Sequence, residues 1–175
     1  MQKAGKYVAL DCEMVGIGPP PYKESALARV SIVNFYGHVL LDVYVRPKER
    51  VGDFRTAVSG ITPAHLKGDR AVSFEEAQQR TADILKDKIL IGHALHNDER
   101  VLLLSHPRKQ MRDTSAYRPF LDKHNGGRSH LSLPKLAKAE LDITIQSGAH
   151  SSVEDARCVM ALYRQVKNAW EKSRH

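Results

Sequence analysis

Two carboxylates interrupt the first apolar stretch of the sequence, residues 7–15. Asp11 and Glu13 are two positions apart, so in a β-strand they point to the same face as Ala9. Like charges this close raise each other's pKa unless a cation lies between them. The spacing therefore indicates a seat for a divalent metal ion. The alternative is an edge strand that turns both acids to solvent.

A third acid lies on the apolar face of the terminal helical segment. Asp155 is followed at i+4, i+7 and i+11 by Val159, Leu162 and Val166. A buried carboxylate must be paired, protonated or bound to metal, because burying it unpaired is costly. A salt bridge to an arginine is one alternative. His150 lies five residues earlier and could share a site with Asp155, where an imidazole suits proton transfer.

The fourth acid is in the segment GHALHND, residues 92–98, directly after the apolar run KILIG. Loops at the carboxyl ends of parallel strands commonly form active sites, which makes Asp98 a candidate ligand. The alternative is that Asn97 or Asp98 only caps a helix. His93 and His96 could form a zinc pair, but the chain has two cysteines, and neither lies nearby with a partner. Oxygen ligands from the four acids instead favour Mg²⁺ or Mn²⁺.

Alternating strand and helix patterns must position these residues. Apolar and β-branched runs predict four strands. The second and third are joined as a hairpin at Tyr36-Gly37. Ser73 with Glu76, and Ser151 with Glu154, have the spacing of capping boxes that start helices. We expect an α/β sheet with a mobile basic loop at 120–130 and a short extended or turning stretch at 143–148. The strands are predicted at 7–15, 26–35, 38–45 and 88–92, and the helices at 73–86, 98–105, 131–141 and 151–173.

Length and composition limit the possible classes of protein. The chain has 175 residues, 42% of them apolar, with two cysteines and a net charge of +7. We predict one domain over residues 1–175, trimmed from a longer natural chain because it begins one step before a core strand. Few cysteines favour a reducing compartment, no apolar run predicts a membrane span, and the basic charge favours a polyanionic partner.

The motifs together resemble a known enzyme family. Asp11, Glu13, Asp98, His150 and Asp155 form the ordered set of the DEDDh branch of DnaQ-like, ribonuclease-H-fold 3′ to 5′ exonucleases. The sequence around these motifs is most similar to the eukaryotic RNA exonuclease four group, which is related to interferon-stimulated exonucleases. Within that group it is most similar to fungal ribosomal-RNA-processing members. The likeness covers nearly the whole chain through DCEMVG, ESALARVSIVN, FRTAVSGITP, GHALHND, RDT and HSSVEDA.

The resemblance implies a mixed central sheet flanked by helices and a role for each motif residue. Asp11 would bridge two Mg²⁺ or Mn²⁺ ions, Glu13 and Asp155 would hold the first, and Asp98 would support the second. His150 would deprotonate the attacking water. Paired metals would lower the pKa of that water and stabilise the leaving 3′ oxygen, releasing 5′-nucleoside monophosphates.

Substrate and location also follow from the resemblance. It implies single-stranded or ribosomal precursor RNA as substrate, a nuclear and specifically nucleolar protein, a monomer, and no membrane partner. A DNA-preferring exonuclease, a non-catalytic nucleic-acid-binding module and a zinc-binding interaction domain are the alternatives. We also expect contacts to the substrate at Met14, Arg55, His93, Asn97 and Arg112, with core packing of Met14 and a surface salt bridge at Arg55 as the alternatives.

A basic surface and an insertion complete the expectations. A row of cationic side chains would flank the path of the nucleic acid strand. The stiff segment 19–22, PPPY, departs from the shorter family pattern beside the first motif. The proposed row comprises Lys109, Arg112, His124, Arg128 and His130.

Overall fold

A computed structural model describes residues 3–127 and 131–174 of the chain. Its centre is a six-stranded mixed sheet in the order β4-β3-β2-β1-β5-β6. Strands β1, β2 and β3 are successively antiparallel, whereas β4 runs parallel to β3, β5 to β1, and β6 to β5. The strands are β1 Tyr7–Ile17, β2 Glu24–Asn34, β3 Val39–Arg46, β4 Ala71–Ser73, β5 Ile89–Gly92 and β6 Met111–Asp113.

Helices cover both faces of this sheet. The predicted α/β class, the hairpin between β2 and β3 and the four predicted strands are confirmed. No helix in the described part of the chain is both long and apolar enough to cross a membrane. The helices are α1 Thr56–Ser59, α2 Phe74–Leu85, α3 Leu95–Leu102, α4 Arg118–Asn125, α5 Leu133–Leu141 and α6 Ser152–Lys172, with short 3₁₀ turns at Pro63–Leu66, Gly68–Arg70 and Arg108–Gln110.

Two apolar cores form because the residues of β1 alternate between the faces of the sheet. Val8, Leu10 and Cys12 face the core under α2 and α3. Ala9 faces the other core, which is built mainly from α5 and α6. Asp11 and Glu13 share the face of Ala9, so the strand period turns both acids toward α6.

Two local predictions about helices are wrong. Helix α4 occupies most of the segment predicted as a loop, because Pro119 suits its first turn and Phe120 is buried, packing edge-on against Tyr117. The capping box of α6 is also absent among the described residues, since the side chain of Ser151 caps nothing. Instead, Ser152 anchors the start of α6 through a buried hydroxyl pair with Ser31, at 2.6 Å.

The capping box of α2 is half formed. The Glu76 backbone N–H donates to the Ser73 hydroxyl at 3.1 Å, as the sequence predicts. Helix α3 begins three residues earlier than expected, so Asp98 lies in its first turn rather than at its start. This offset matters for the site, because it determines which way the Asp98 carboxylate points.

Candidate active site

Asp11 and Glu13 lie where β1 extends past its parallel neighbour. Pairing between β1 and β5 ends at Ala9 with Ile91, while β1 continues to Ile17. The edge of β1 beyond Ala9 is therefore open to side chains from the loop after β5. Glu13 is buried at 5% exposure and Asp11 is half-buried, so the alternative of two solvent-facing acids on an edge strand is wrong.

Asp98 closes this open edge. Its Oδ1 accepts a hydrogen bond from the Cys12 backbone N–H at 3.0 Å, where a strand carbonyl would otherwise be expected. The short connection between β5 and α3 requires glycine at position 92, because a Cβ there would lie 2.1 Å from the Leu95 side chain. The prediction that Asp98 lies at the carboxyl end of β5 is confirmed.

Asp113 holds the first turn of α3, a role that sequence reasoning missed. One carboxylate oxygen accepts from the Ala94 N–H at 2.9 Å and the other accepts from the Leu95 N–H at 3.0 Å. These donors would otherwise lack partners at a helix start. Asp113 thereby fixes the orientation of the helix that carries Asp98.

Asp155 reaches the same region from α6. It is 3% exposed on the apolar face of the helix, as predicted. Its Oδ2 accepts from the Gln146 side-chain amide at 2.7 Å, and no described arginine pairs with it, so the salt-bridge alternative is wrong. Gln146 has a left-handed backbone, φ 56°, a conformation that the sequence did not indicate.

His150 meets two of these acids. Candidate ligand atoms of Glu13, His150 and Asp155 all lie within 4.8 Å of one another. The His150 backbone is held by α1, since its N–H donates to the Val58 carbonyl at 2.8 Å. Gly60, at φ +68°, allows the close approach, because a Cβ there would lie 2.9 Å from the His150 carbonyl oxygen. Helix α1 therefore determines where the imidazole stands.

Burial raises the pKa of all four acids, and the charges of neighbouring cluster acids raise the pKa of Asp11 and Glu13 further. Burial is the largest cause for Asp11, whose pKa is raised well above its ordinary value, and the charges of Asp98, Asp155 and Glu13 raise it further. Burial and then Asp155 raise the pKa of Glu13 to about 8, against the opposing effect of Arg29. The charges of Asp98 and Asp155 thus oppose the ionisation of Asp11 and Glu13.

Hydrogen bonds offset part of this effect at the two helical acids. Burial raises the pKa of Asp98 to about 7, while hydrogen bonds from Cys12 act to lower it. Burial also raises the pKa of Asp155, although the Gln146 amide and then His150 favour its charged form. These interactions are too weak to return the pKa of Asp98 or of Asp155 to that of an ordinary carboxylate.

The unsatisfied carboxylate oxygens of this site are suitable ligands for a hard divalent cation. Glu13 Oε1 and Asp155 Oδ1 are buried without a hydrogen-bond partner among the residues that the structure describes. A buried oxygen in this state usually has a ligand, water or ion to satisfy it. Carboxylate oxygens beside one imidazole suit Mg²⁺ or Mn²⁺, whereas the Cys12 thiol lies on the opposite face of the sheet.

The zinc alternative gains no support from the histidines after β5. His93 Nδ1 lies 2.9 Å from the Thr114 hydroxyl, and His96 is exposed. Within residues 3–127 and 131–174, the only group of three or more His, Cys, Asp or Glu residues with metal-binding spacing is Glu13, His150 and Asp155. Two of the four predicted oxygen ligands, Glu13 and Asp155, therefore belong to this group, and metal binding by the four acids stays a prediction.

Three of the predicted substrate contacts are close to this site in the fold. Met14 follows Glu13 at a register shift in β1 and packs partly against the α2–α3 core. His93 and Asn97 flank the start of α3, where His93 is half-buried and Asn97 is exposed. Their contacts with substrate stay predictions.

Arg55 stabilises the proline-rich segment. Its guanidinium donates to the carbonyls of Tyr22 and Glu24 at 2.9 and 3.1 Å, and to the Ser25 hydroxyl at 2.8 Å. Gly52 lets the Tyr22 ring pack closely, since a Cβ there would lie 2.2 Å from it. Arg55 thus ties the segment after β1 to the start of α1, and its contact with substrate stays a prediction.

Arg112 is committed to an ion pair within the fold, and its contact with substrate stays a prediction. Arg112 is 4% exposed, and its guanidinium forms a two-point ion pair with Glu171 at 2.7 Å for each hydrogen bond. Two backbone carbonyls accept from the same guanidinium. Because Glu171 lies sixteen residues beyond Asp155 on α6, this pair is about 24 Å along the helix from the carboxylate cluster.

Among its described members, Lys109, Arg112 and His124, the predicted basic row is interrupted. The His124 imidazole is half-buried and paired with the Glu140 carboxylate rather than displayed to solvent. Lys109 is exposed beside Arg112 in sequence. Arg128 and His130 lie outside the described residues, so their part of the prediction is untested.

Named relatives match nearly the whole chain. RNA exonuclease 4 from Candida glabrata is 56% identical over 170 residues, which cover 97% of this chain and 63% of the relative. RNA exonuclease 4 from Saccharomyces cerevisiae is 54% identical over 171 residues, covering 98% of this chain and 58% of the relative. The chain thus spans less than two thirds of the length of either relative.

Solved structures show the same fold. The exonuclease module of Saccharomyces cerevisiae Pan2 in complex with A7 RNA matches 99% of this chain and 30% of its own, with 32% identity and a TM-score of 0.83. The Neurospora crassa Pan2 catalytic unit, which contains protease and nuclease domains, matches 99% of this chain and 29% of its own, at 29% identity and a TM-score of 0.82. The family model described as Exonuclease (RNase_T) matches residues 8–163. The chain therefore belongs to this exonuclease family and has its ribonuclease-H-like fold.

Proposed function

We propose that the chain is a 3′ to 5′ exoribonuclease that hydrolyses RNA with two divalent ions, Mg²⁺ or Mn²⁺, and releases 5′-nucleoside monophosphates. The observation that carries the proposal is a cluster of four acids, three of them buried and two of them with unsatisfied oxygens, beside an imidazole. Such a cluster is unfavourable for folding unless cations offset its charge. Two such ions would polarise the scissile phosphate and lower the pKa of the attacking water.

The side chains divide the remaining work. His150 stands within reach of the space beside Glu13 and Asp155, so it would accept the proton of the attacking water. Glu13 and Asp155 would hold one ion, Asp11 would contact both, and Asp98 would support the second. The hydrogen bond from Cys12 to Asp98 and that from Gln146 to Asp155 fix the two helical carboxylates in place.

RNA is the proposed substrate because similar proteins are named as RNA exonucleases or have been solved with RNA bound. The relatives are named RNA exonuclease 4, and several Pan2 structures were solved in complex with RNA. On the same basis we propose a role in ribosomal RNA processing, a nuclear and specifically nucleolar location, and a monomeric state. The positive net charge agrees with a polyanionic substrate.

Product analysis tests the activity. Matched 20-nucleotide RNA and DNA strands with a 5′ label are incubated with the protein in Mg²⁺, Mn²⁺ or EDTA. We expect RNA to shorten one nucleotide at a time in either metal, with no shortening in EDTA or with a 3′-phosphorylated end. Internal cleavage would contradict an exonuclease, and faster shortening of DNA would favour the DNA-preferring alternative.

The biological role needs a separate test. A tagged full-length protein should accumulate in the nucleolus, and its depletion should leave 3′-extended ribosomal RNA precursors that the Asp155→Asn variant cannot remove. Normal precursors after depletion would contradict the role in ribosomal RNA processing while leaving the enzymatic activity untouched. Sedimentation of the purified chain tests the monomer.

A further inference from the structure

A basic and aromatic surface lies on the outer side of α6, away from the carboxylate cluster. It joins parts of the chain that are far apart in sequence: the start of β1, the turn between β2 and β3, and the middle of α6. Neither the motifs nor the active-site geometry account for it. We call it the basic-aromatic surface, and its members are Tyr7, Phe35, Tyr36, Arg157, Arg164 and Lys167.

Cations and rings alternate on this surface. The Arg164 guanidinium lies 5.7 Å from the centre of the Phe35 ring, and the Lys167 ammonium lies 5.1 Å from that of Tyr7. Tyr36 stands edge-on to Phe35, with ring centres 5.5 Å apart, and is 73% exposed. Arg157 donates to the Gly37 carbonyl at 2.9 Å, which holds the turn against α6.

The positive charge of the surface is not neutralised. Within the described ranges 3–127 and 131–174, no carboxylate forms an ion pair with Arg157, Arg164 or Lys167. The acid one turn beyond Lys167 is Glu171, and it is already paired with Arg112. Lys6 adds a further ammonium 5.6 Å from the Tyr7 ring. Gathering like charges in this way is unfavourable in the free protein and favours an anionic ligand.

The position of the surface suits the body of a strand whose end is in the active site. Arg164 and Lys167 lie nine and twelve residues beyond Asp155 on α6, about 14 and 18 Å along the helix. A dinucleotide bound at the carboxylates would be too short to cover that distance, whereas a 20-nucleotide strand could. Exposed rings that flank cations are the usual platform for single-stranded nucleic acid.

We propose that the basic-aromatic surface binds single-stranded RNA upstream of the 3′ end that occupies the active site. Arg157, Arg164 and Lys167 contact phosphates, and a base stacks on the exposed ring of Tyr36. This inference rests on RNA being the substrate under the proposed function. It adds a second contact that makes binding depend on the length of the strand.

The test measures binding apart from hydrolysis. Fluorescence anisotropy of a labelled 20-nucleotide RNA in EDTA gives the affinity of the whole chain across a range of salt concentrations. For the double variant Arg164→Gln, Lys167→Gln we expect the slope of log affinity against log salt to fall by about 1.4, since each lost phosphate contact on a single strand removes about 0.7. Tyr36→Ala should weaken binding roughly 5- to 100-fold, and Tyr36→Phe should keep wild-type affinity.

Matched controls separate this surface from general charge. Lys86→Gln, Lys135→Gln removes the same charge at exposed positions outside the surface and should leave the salt slope unchanged. Hydrolysis of a dinucleotide should be equal in all variants, because it reaches only the carboxylate site. The inference is overturned if the Arg164, Lys167 double variant binds RNA like wild type, or if the control variant loses as much affinity. Either result leaves the exonuclease assay unaffected, whereas failure of that assay with intact RNA binding would count against the proposed function alone.

Discussion

Helix α6 carries one buried acid near its N-terminal end, Asp155, and one half-buried acid near its C-terminal end, Glu171, and the two have opposite surroundings. Near the C-terminal end, Glu171 accepts two hydrogen bonds from Arg112 and a third, at 2.8 Å, from the Tyr163 hydroxyl. The Arg112 bond is the largest cause of its lowered pKa. At the other end Asp155 faces further carboxylates, and burial raises its pKa. The same residue class on one helix is thus stabilised at one end and destabilised at the other.

This difference separates structural burial from functional burial. A paired acid meets its hydrogen-bonding needs within the protein and can be understood as part of the fold. The carboxylate cluster leaves two oxygens without hydrogen bonds and holds like charges together. Neither feature stabilises the folded protein. A bound cation would ligate the unsatisfied oxygens and offset the like charges, so the end of α6 that carries Asp155 is the candidate catalytic end.

The largest expected effect is the loss of hydrolysis in Asp155→Asn. The amide keeps the shape but removes a metal ligand, and a loss of several kcal/mol of electrostatic stabilisation corresponds to at least about a 10³-fold fall in kcat. Thermal stability should stay equal or rise, because one of the repelling charges is gone. Steady-state kinetics and a melting curve measure both, with exposed Glu154→Gln as the control. A rate within tenfold of wild type would remove Asp155 from the site.

His150→Asn should cost about 10² to 10⁴ in rate by removing the proton acceptor. Because the carboxylates stay in place, affinity for Mn²⁺ should change less than in Asp155→Asn. Single-turnover kinetics at saturating metal separate the two contributions. Wild-type rates in this variant would assign proton transfer to another group.

Glu171→Gln should affect stability rather than chemistry. It leaves the Arg112 guanidinium buried opposite a neutral amide. Breaking a fully buried pair typically costs about 3 to 5 kcal/mol, and the partial exposure of Glu171 should make the loss smaller here. Urea unfolding measures the loss, while kcat of the folded fraction should match wild type. A fall in kcat without a fall in stability would mean that the paired end takes part in catalysis.

A smaller effect concerns the dependence of stability on pH. In the absence of metal, Glu13 with a pKa of about 8 and Asp98 with a pKa of about 7 retain protons in the folded state that they lose near 4.5 and 3.8 when unfolded. This cluster therefore makes the metal-free protein less stable as pH rises from about 5 to about 8. Glu171 has the opposite sign, because its stabilising contribution is present above its unfolded pKa and is lost as pH falls.

Saturating Mg²⁺ should remove the decline at high pH. Binding displaces protons from the cluster, and an ion at 100 times its dissociation constant adds about 2.7 kcal/mol. Urea unfolding at pH 5.5 and 8.0, with EDTA or with Mg²⁺, measures the change. Equal stabilisation by Mg²⁺ at both pH values would contradict proton displacement from these acids.

Regular patterns made much of the site predictable from the sequence. The two-residue period of a strand placed Asp11 and Glu13 on one face, and the helical period placed Asp155 on an apolar one. The position after a buried strand correctly placed Asp98. These inferences succeeded because each depends on local geometry that the backbone repeats.

Contacts between distant parts of the chain could not be predicted in this way. Arg112 and Glu171 are 59 positions apart, so nothing local indicated that they form a pair. The Gln146 contact with Asp155 depends on a left-handed backbone at a residue that seldom adopts one. The basic-aromatic surface is likewise not apparent from local sequence, since its cations and rings meet only when α6 packs against the β2–β3 turn.

Calorimetric titration of the metal-free protein with Mn²⁺ at pH 8.0 tests the central claim most directly. We expect two ions per chain in wild type and in Glu171→Gln, and weakened binding with fewer ions in Asp155→Asn. Wild-type protein that binds no Mn²⁺, or an Asp155→Asn variant that binds it as wild type does, would contradict a metal site at the unpaired end of α6.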